Sequence, residues 1–162
     1  MWAKLTQAKF KPYLISIAIA LAVGIFSGFL IRNSVRIYNT LNKPAFSPPA
    51  FVFPIVWTLL YILMGISAAR IRLQKDVHPY EVMDALLTYA LQLILNFFWA
   101  IIFFHMQTFL FAFIWLMVLW SSVLKMIFKF SVLDKTAAYL NVPYLLWVTF
   151  AGYLNFMIYL LN

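Results

Sequence analysis

The chain has 162 residues, 66% of them hydrophobic and only 10% charged, with a net charge of +8 and a mean hydropathy of +0.95. Soluble domains carry about 25% charged and about 45–50% apolar residues, and a fold this small leaves too much surface exposed to hide the surplus from water. The basic residues lie in short groups between long apolar runs rather than on one wet face, so a nucleic-acid binder is excluded along with a soluble globular domain.

The absence of cysteine removes disulfides, thiolate metal sites and covalent haem attachment through Cys-x-x-Cys-His. A bilayer core of ~30 Å needs about 20 helical residues. Five segments meet that requirement, at roughly 12–31, 51–70, 82–104, 109–128 and 137–161, which predicts an all-α membrane protein forming one five-helix domain over residues 1–162. Lys4, Lys9 and Lys11 precede the first span, and Ala18 and Ala20 resemble a cleavage site. The apolar stretch runs on to Ile31, longer than the ~7–15 residues of a signal core, so the segment reads as a retained span. Gly24 and Gly28 in it form a Gly-x-x-x-Gly pair that permits close helix approach.

The connection over 32–50 contains Pro44, Pro48 and Pro49 and cannot be one continuous helix. In the second span Trp57, Tyr61, Gly65 and Ala69 recur every fourth residue and share a face. Pro79 helps to end the next connection. In the third span Tyr89, Gln92, Asn96, Trp99 and Phe103 follow helical spacing, and two amides on that face are costly against lipid, so it should point into the bundle. Trp115 and Trp120 in the fourth span, like Trp2, suit packing or interfacial positions. Asp134 has the chemistry of an N-cap before the fifth span, where Tyr144, Trp147, Ala151 and Asn155 repeat the striped pattern and Pro143 loosens the helix nearby.

Three basic groups fall on one side of the membrane: Lys4, Lys9 and Lys11; Arg70, Arg72 and Lys75; and Lys125, Lys129 and Lys135. The other side has Arg32, Arg36 and Lys43. The positive-inside rule then predicts a cytoplasmic N-terminus and an outer C-terminus, with the Pro-rich loop outside. The acidic residues Asp76, Glu81, Asp84 and Asp134 all lie near the inner connections. Without ionisable groups deep in the spans, ion-coupled pumping is disfavoured, and there is no carboxylate pair for general acid–base work. His78 in a loop and His105 at a span end read as interfacial residues and do not make a metal site between them.

Packed together, the striped faces of the second, third and fifth spans would enclose an apolar cavity with a few hydrogen-bonding groups, the usual construction for flat hydrophobic ligands. Bundle packing or aromatic belts would produce the same stripes. The spacing alone leaves both open.

The stretch from Leu41 to Arg70 resembles the signature region of the translocator-protein family, also called the tryptophan-rich sensory protein or peripheral benzodiazepine receptor family, in a bacterial-type form. The matching residues are Lys43-Pro44, Pro48-Pro49, Phe51-Val52-Phe53-Pro54, Trp57 and Leu60-Tyr61. Gln92 to Trp99 is similar to the family's third-helix motif and Pro143 to Asn155 to its fifth-helix motif. The resemblance implies a five-helix bundle, commonly a homodimer, in a bacterial cell membrane, with a pocket closed by the first loop. It implies porphyrins such as protoporphyrin IX, or other flat apolar molecules, as ligand, with no required cofactor. Carried over by motif, the pocket includes Tyr38, Trp57, Tyr61, Asn96, Trp99, Trp147 and Ala151, and the third-span stripe adds Gln92. The lid carries Arg32, Arg36, Lys43, Pro44, Phe46 and Phe51, its basic residues being candidates to meet propionates. Phe46 and Phe51 stand where the family often has Trp, which removes two indole donors from the lid. No Lys or Arg follows Lys135, so the animal cholesterol motif is not present. The leading expectation is a porphyrin receptor or carrier. The alternatives are light- and oxygen-dependent porphyrin degradation with Trp57 and Trp147 as oxidisable donors, or a ligand-free assembly protein.

Overall fold

The computed structural model describes residues 2–162, with side chains from Phe10 onward other than Val35. Trp2, Lys4 and Lys9 thus fall outside the described side chains. The chain runs as α1 (Trp2–Ile31), α2 (Val35–Thr40), α3 (Val52–Arg72), α4 (Pro79–Ala100), a π-helical turn (Ile101–His105), α5 (Phe109–Leu133), α6 (Lys135–Tyr139) and α7 (Val142–Leu161). Among the described residues there is no strand.

Five stretches are long and apolar enough to cross a membrane: Phe10–Ile31, Val52–Arg72, Pro79–His105, Phe109–Leu133 and Lys135–Leu161. They coincide with the expected spans in number and order, and the ends differ for identifiable reasons. The third begins earlier because Pro79 occupies the first turn of α4, where its missing N–H has no helical acceptor to lose. The fourth continues to Leu133 because Lys129 is paired: its ammonium lies 2.7 Å from Asp84 and donates to the Thr88 hydroxyl at 2.9 Å. The fifth is interrupted. Asp134 caps α6 by accepting from the Ala137 amide at 3.0 Å, and the chain breaks at Leu140–Asn141 before restarting with Pro143 in the first turn of α7. The Pro-rich connection contains the short helix α2 followed by irregular chain through Pro48 and Pro49.

α1 packs on α3 and, less extensively, on α4; α4 also packs on α3 and α5, and α5 in turn on α6 and α7. The α1–α3 seam depends on glycine. A Cβ on Gly65 would lie 2.5 Å from the Ile17 Cα, and one on Gly24 would collide with the Tyr61 ring. Small residues let helix backbones approach where lipid supplies no hydrophobic drive for association.

At the end of the bundle opposite α2, polar groups close the inter-helix gaps. Arg70 pairs with Asp134 at 2.8 Å, joining α3 to the start of α6. Ser67 donates to the Ala137 carbonyl at 2.7 Å, and the Asn141 amide donates to Ser67 Oγ at 2.6 Å and to the same carbonyl at 2.9 Å.

Four substitutions test this packing. Gly65→Leu must push α1 off α3 and is expected to cost about 1–3 kcal/mol, read as a lowered midpoint of thermal denaturation in detergent, whereas Gly28→Ala, which meets nothing, should stay within about 0.5 kcal/mol. Asp134→Ala removes both a cap and the partner of Arg70 and should cost about 2 kcal/mol; Asp84→Ala, losing a carboxylate 65% exposed, should cost less than about 1 kcal/mol.

Candidate ligand-binding site

The expected polar stripe of α4 faces inward: Tyr89, Gln92, Asn96, Trp99 and Phe103 are all buried. Each amide is paired. Asn96 Nδ2 donates to the Tyr61 hydroxyl on α3 at 2.8 Å. Gln92 accepts from the Tyr144 hydroxyl on α7 at 2.8 Å and places its Nε2 3.7 Å from Met64 Sδ. Asn155 on α7 accepts from Trp99 Nε1 at 3.3 Å and donates to the Phe109 carbonyl at 2.8 Å. Buried amides left unpaired would cost about 1–3 kcal/mol each, so these bonds fix how α3, α4 and α7 align.

Trp57 rests on this layer. Its ring centroid lies 5.7 Å from Tyr61, 6.1 Å from Tyr144 and 6.4 Å from Trp99. Beyond it is a cavity of ≈ 400 Å³, within the usual range of about 300–1,000 Å³ for small-molecule sites. α1 contributes Leu21, Gly24, Ile25, Ser27, Gly28 and Ile31; α3 contributes Phe53, Pro54, Trp57, Thr58 and Tyr61. Asn96, Trp99, Ala100 and Phe104 close the α4 side, with Tyr38 and Ala50 from the connection above. The wall is almost wholly apolar, with the Asn96–Tyr61 pair as its main polar feature.

The lid end is organised around α2. Tyr38 is buried, its ring packs edge-on against Phe53 at 5.2 Å, and its hydroxyl donates to the Pro48 carbonyl at 3.3 Å. Burial pushes the Tyr38 phenol above its ordinary value, so it remains a neutral donor. Lys43 donates to the carbonyls of Tyr38 at 2.8 Å, Leu41 at 3.1 Å and Asn39 at 3.3 Å, satisfying the C-terminal end of α2. The Asn42 amide donates to Asn162 Oδ1 and Asn162 Nδ2 to the Asn42 carbonyl, each at 3.0 Å, tying the loop to the end of α7.

The structure therefore brings Tyr38, Trp57, Tyr61, Asn96 and Trp99 together around one space. Ala151 borders a separate void of ≈ 20 Å³, and Tyr38, Phe53, Trp99 and Phe104 border both. Gln92 lies deeper, in the α3–α7 link. Trp147 stands behind Phe53, edge-on at 5.9 Å, with its Nε1 buried and unpartnered. In the lid, Pro44 is half-buried, while Phe46 and Phe51 are 80% and 67% exposed. Arg32 lies over the Phe29 ring at 4.0 Å, and it and Arg36 are exposed. Trp115 and Trp120 stitch α5 to its neighbours through the Leu95 carbonyl and the Thr149 hydroxyl, both at 2.8 Å. His105 is exposed with Nδ1 3.4 Å from Ser34 Oγ, and no group of three or more His, Cys, Asp or Glu that could hold a metal ion occurs among the described residues. The α1 wall carries no amide or aromatic mark. Its only sequence signal is the run of small residues Gly24, Ser27 and Gly28, which reads equally well as a packing surface.

The TspO/MBR family model matches residues 16–161. The chain is similar to the tryptophan-rich protein TspO of Chlorobaculum tepidum, 40% identical over 148 residues that cover 90% of this chain and 92% of the relative. It is 37% identical to protein CrtK of Rhodobacter capsulatus over 153 residues, covering 94% and 92%. It is 31% identical to the translocator protein of Bos taurus over 121 residues, covering 75% and 72%. The family match over residues 16–161, together with five helices long and apolar enough to cross a membrane, places the chain in the TspO/MBR family of integral membrane proteins.

Proposed function

We propose that the protein is a membrane receptor or carrier for porphyrins, such as protoporphyrin IX, and for similar flat apolar ligands. The observation that carries this reading is the ≈ 400 Å³ cavity walled by Trp57, Tyr61 and Trp99 on one side and small or aliphatic residues of α1 on the other. A planar macrocycle stacks on the Trp57 and Trp99 side of the wall, with aliphatic and small residues of α1 toward its opposite face. The Asn96–Tyr61 pair offers a single polar contact that orients the ring without demanding that a charge be buried. Propionate groups would lie toward the lid end, where Arg32 and Arg36 are exposed. Lys43 is committed to the carbonyls of α2 and is a weaker candidate for that role.

A second reading is favoured by the contact between oxidisable rings on the cavity wall, Trp57 with Tyr61 and Trp99. Light and oxygen acting on a bound porphyrin would find electron donors there. Trp147, the other candidate donor, lies behind Phe53, outside the larger cavity. Illumination of the complex separates the two readings: loss of the porphyrin absorption band at a rate lowered by Trp57→Phe supports degradation, and a stable band leaves binding as the activity.

Binding itself is tested by protoporphyrin IX titration in detergent or vesicles, followed by quenching of tryptophan fluorescence. Trp57→Leu and Asn96→Leu are each expected to weaken binding at least about tenfold, about 1.4 kcal/mol or more, because each removes a wall contact. Trp120→Phe, paired to Thr149 away from the cavity, is expected to leave the affinity within about twofold. Equal affinities in all three variants would place the ligand elsewhere.

A further inference from the structure

The cavity is closed unevenly. At the lid end the loop is tied by the Tyr38–Pro48 bond, the Lys43 clamp and the Asn42–Asn162 exchange. The α1–α4 seam is shut by Phe26 stacked on Phe97, with centroids 5.8 Å apart and planes 9° from parallel. The α1–α3 seam is tight where Ile17 lies against Gly65 and where Gly24 sits under Tyr61. One turn beyond Gly24 that contact is not repeated. A Cβ on Gly28 would meet nothing within 4 Å, and Ile25, Gly28, Pro54 and Thr58 border the cavity while being exposed.

Exposed cavity wall on two membrane-crossing helices faces acyl chains rather than water. The rim suits that neighbour. Ile25 is 71% exposed, Pro54 has no N–H, and the Thr58 hydroxyl is turned back onto the Pro54 carbonyl at 2.8 Å. No unpaired donor faces lipid at this edge.

We propose that the gap between α1 and α3 is a lateral portal through which the ligand moves between the bilayer and the cavity. The proposal rests on the porphyrin reading for the passenger, not for the opening. Gly28 lies three residues before the end of α1, about 5 Å along the axis, so the portal sits just below the lid-end surface of the membrane. An amphiphile lies at that depth, with its apolar body in the acyl region and its carboxylates at the interface. Arg32 and Arg36, exposed just past α1, supply the matching charge. A flat amphiphile with one anionic edge therefore reaches the cavity without breaking any of the lid's hydrogen bonds.

The test plugs the gap. Gly28→Phe places a ring where the helix has open space, so folding is not expected to suffer. With the full chain in vesicles preloaded with protoporphyrin IX, stopped-flow quenching should show entry and exit both slowed at least about tenfold, whereas loss of site contacts would speed exit instead. Asn162→Ala, which loosens the lid, should leave entry within about twofold of wild type. Unchanged rates in Gly28→Phe, or faster entry in Asn162→Ala, would overturn the portal. A second arm needs no porphyrin. A small aryl diazirine dissolved in the membrane is photolysed and carbene insertion is mapped by mass spectrometry. Trp57 should be labelled in wild type and at least about fivefold less in Gly28→Phe, with lipid-facing Leu59 unchanged. Equal labelling of Trp57 in both proteins refutes the portal. Failure of wild type to bind protoporphyrin counts against the proposed ligand, and the carbene arm then decides the portal alone.

Discussion

The fold depends on the requirement that every amide inside the membrane find a protein partner. Water is not available there to satisfy an exposed amide. Gln92, Asn96 and Asn155 meet the requirement through bonds that run between helices: to Tyr144, to Tyr61, and between Trp99 and the Phe109 carbonyl. Because Asn96 and Trp99 lie one turn apart on α4 and reach opposite neighbours, α4 is held between α3 and α7. Trp57 then settles on the three rings this layer presents. The site is the space left above a satisfied polar layer. Its apolar wall follows from the pairing, since the polar groups have already turned toward one another.

The other wall comes from a helix that follows a simpler rule. α1 touches α3 closely where glycine allows it and leaves open space at Gly28, toward the lid end. One seam thus supplies both the closure at Gly65 and the opening at Gly28. The lid is held by backbone acceptors more than by aromatic contact: Lys43 satisfies the carbonyls at the end of α2, and Asn42 and Asn162 exchange hydrogen bonds. This explains how Phe46 and Phe51 can be exposed while the loop stays in place over Tyr38.

The spans could be read from the chain because lipid demands about 20 apolar residues at a time and polar interruptions stand out. The inward face of α4 could be read because an amide against acyl chains is expensive and two of them share a stripe. The contribution of α1 could not. Leu21, Ile25 and Ile31 carry no mark that separates a cavity wall from a lipid-facing surface, and Gly24 and Gly28 differ in role although they share one motif. Gly24 lies under a ring; Gly28 borders empty space. Gln92 and Trp147 share stripes with residues that border the cavity, yet pairing turns the first toward α7 and Phe53 stands in front of the second. Periodicity identifies a face. Which residues on that face meet a ligand depends on partners two helices away.

The most direct measurement is an experimental structure of the chain in lipid with protoporphyrin IX bound. The macrocycle is expected between α1 and α3, stacked toward Trp57 and Trp99, with its carboxylates toward Arg32 and Arg36. A macrocycle seated against the outer faces of α5 and α7, with the α1–α3–α4 cavity free of it, would rule out this cavity as the porphyrin site.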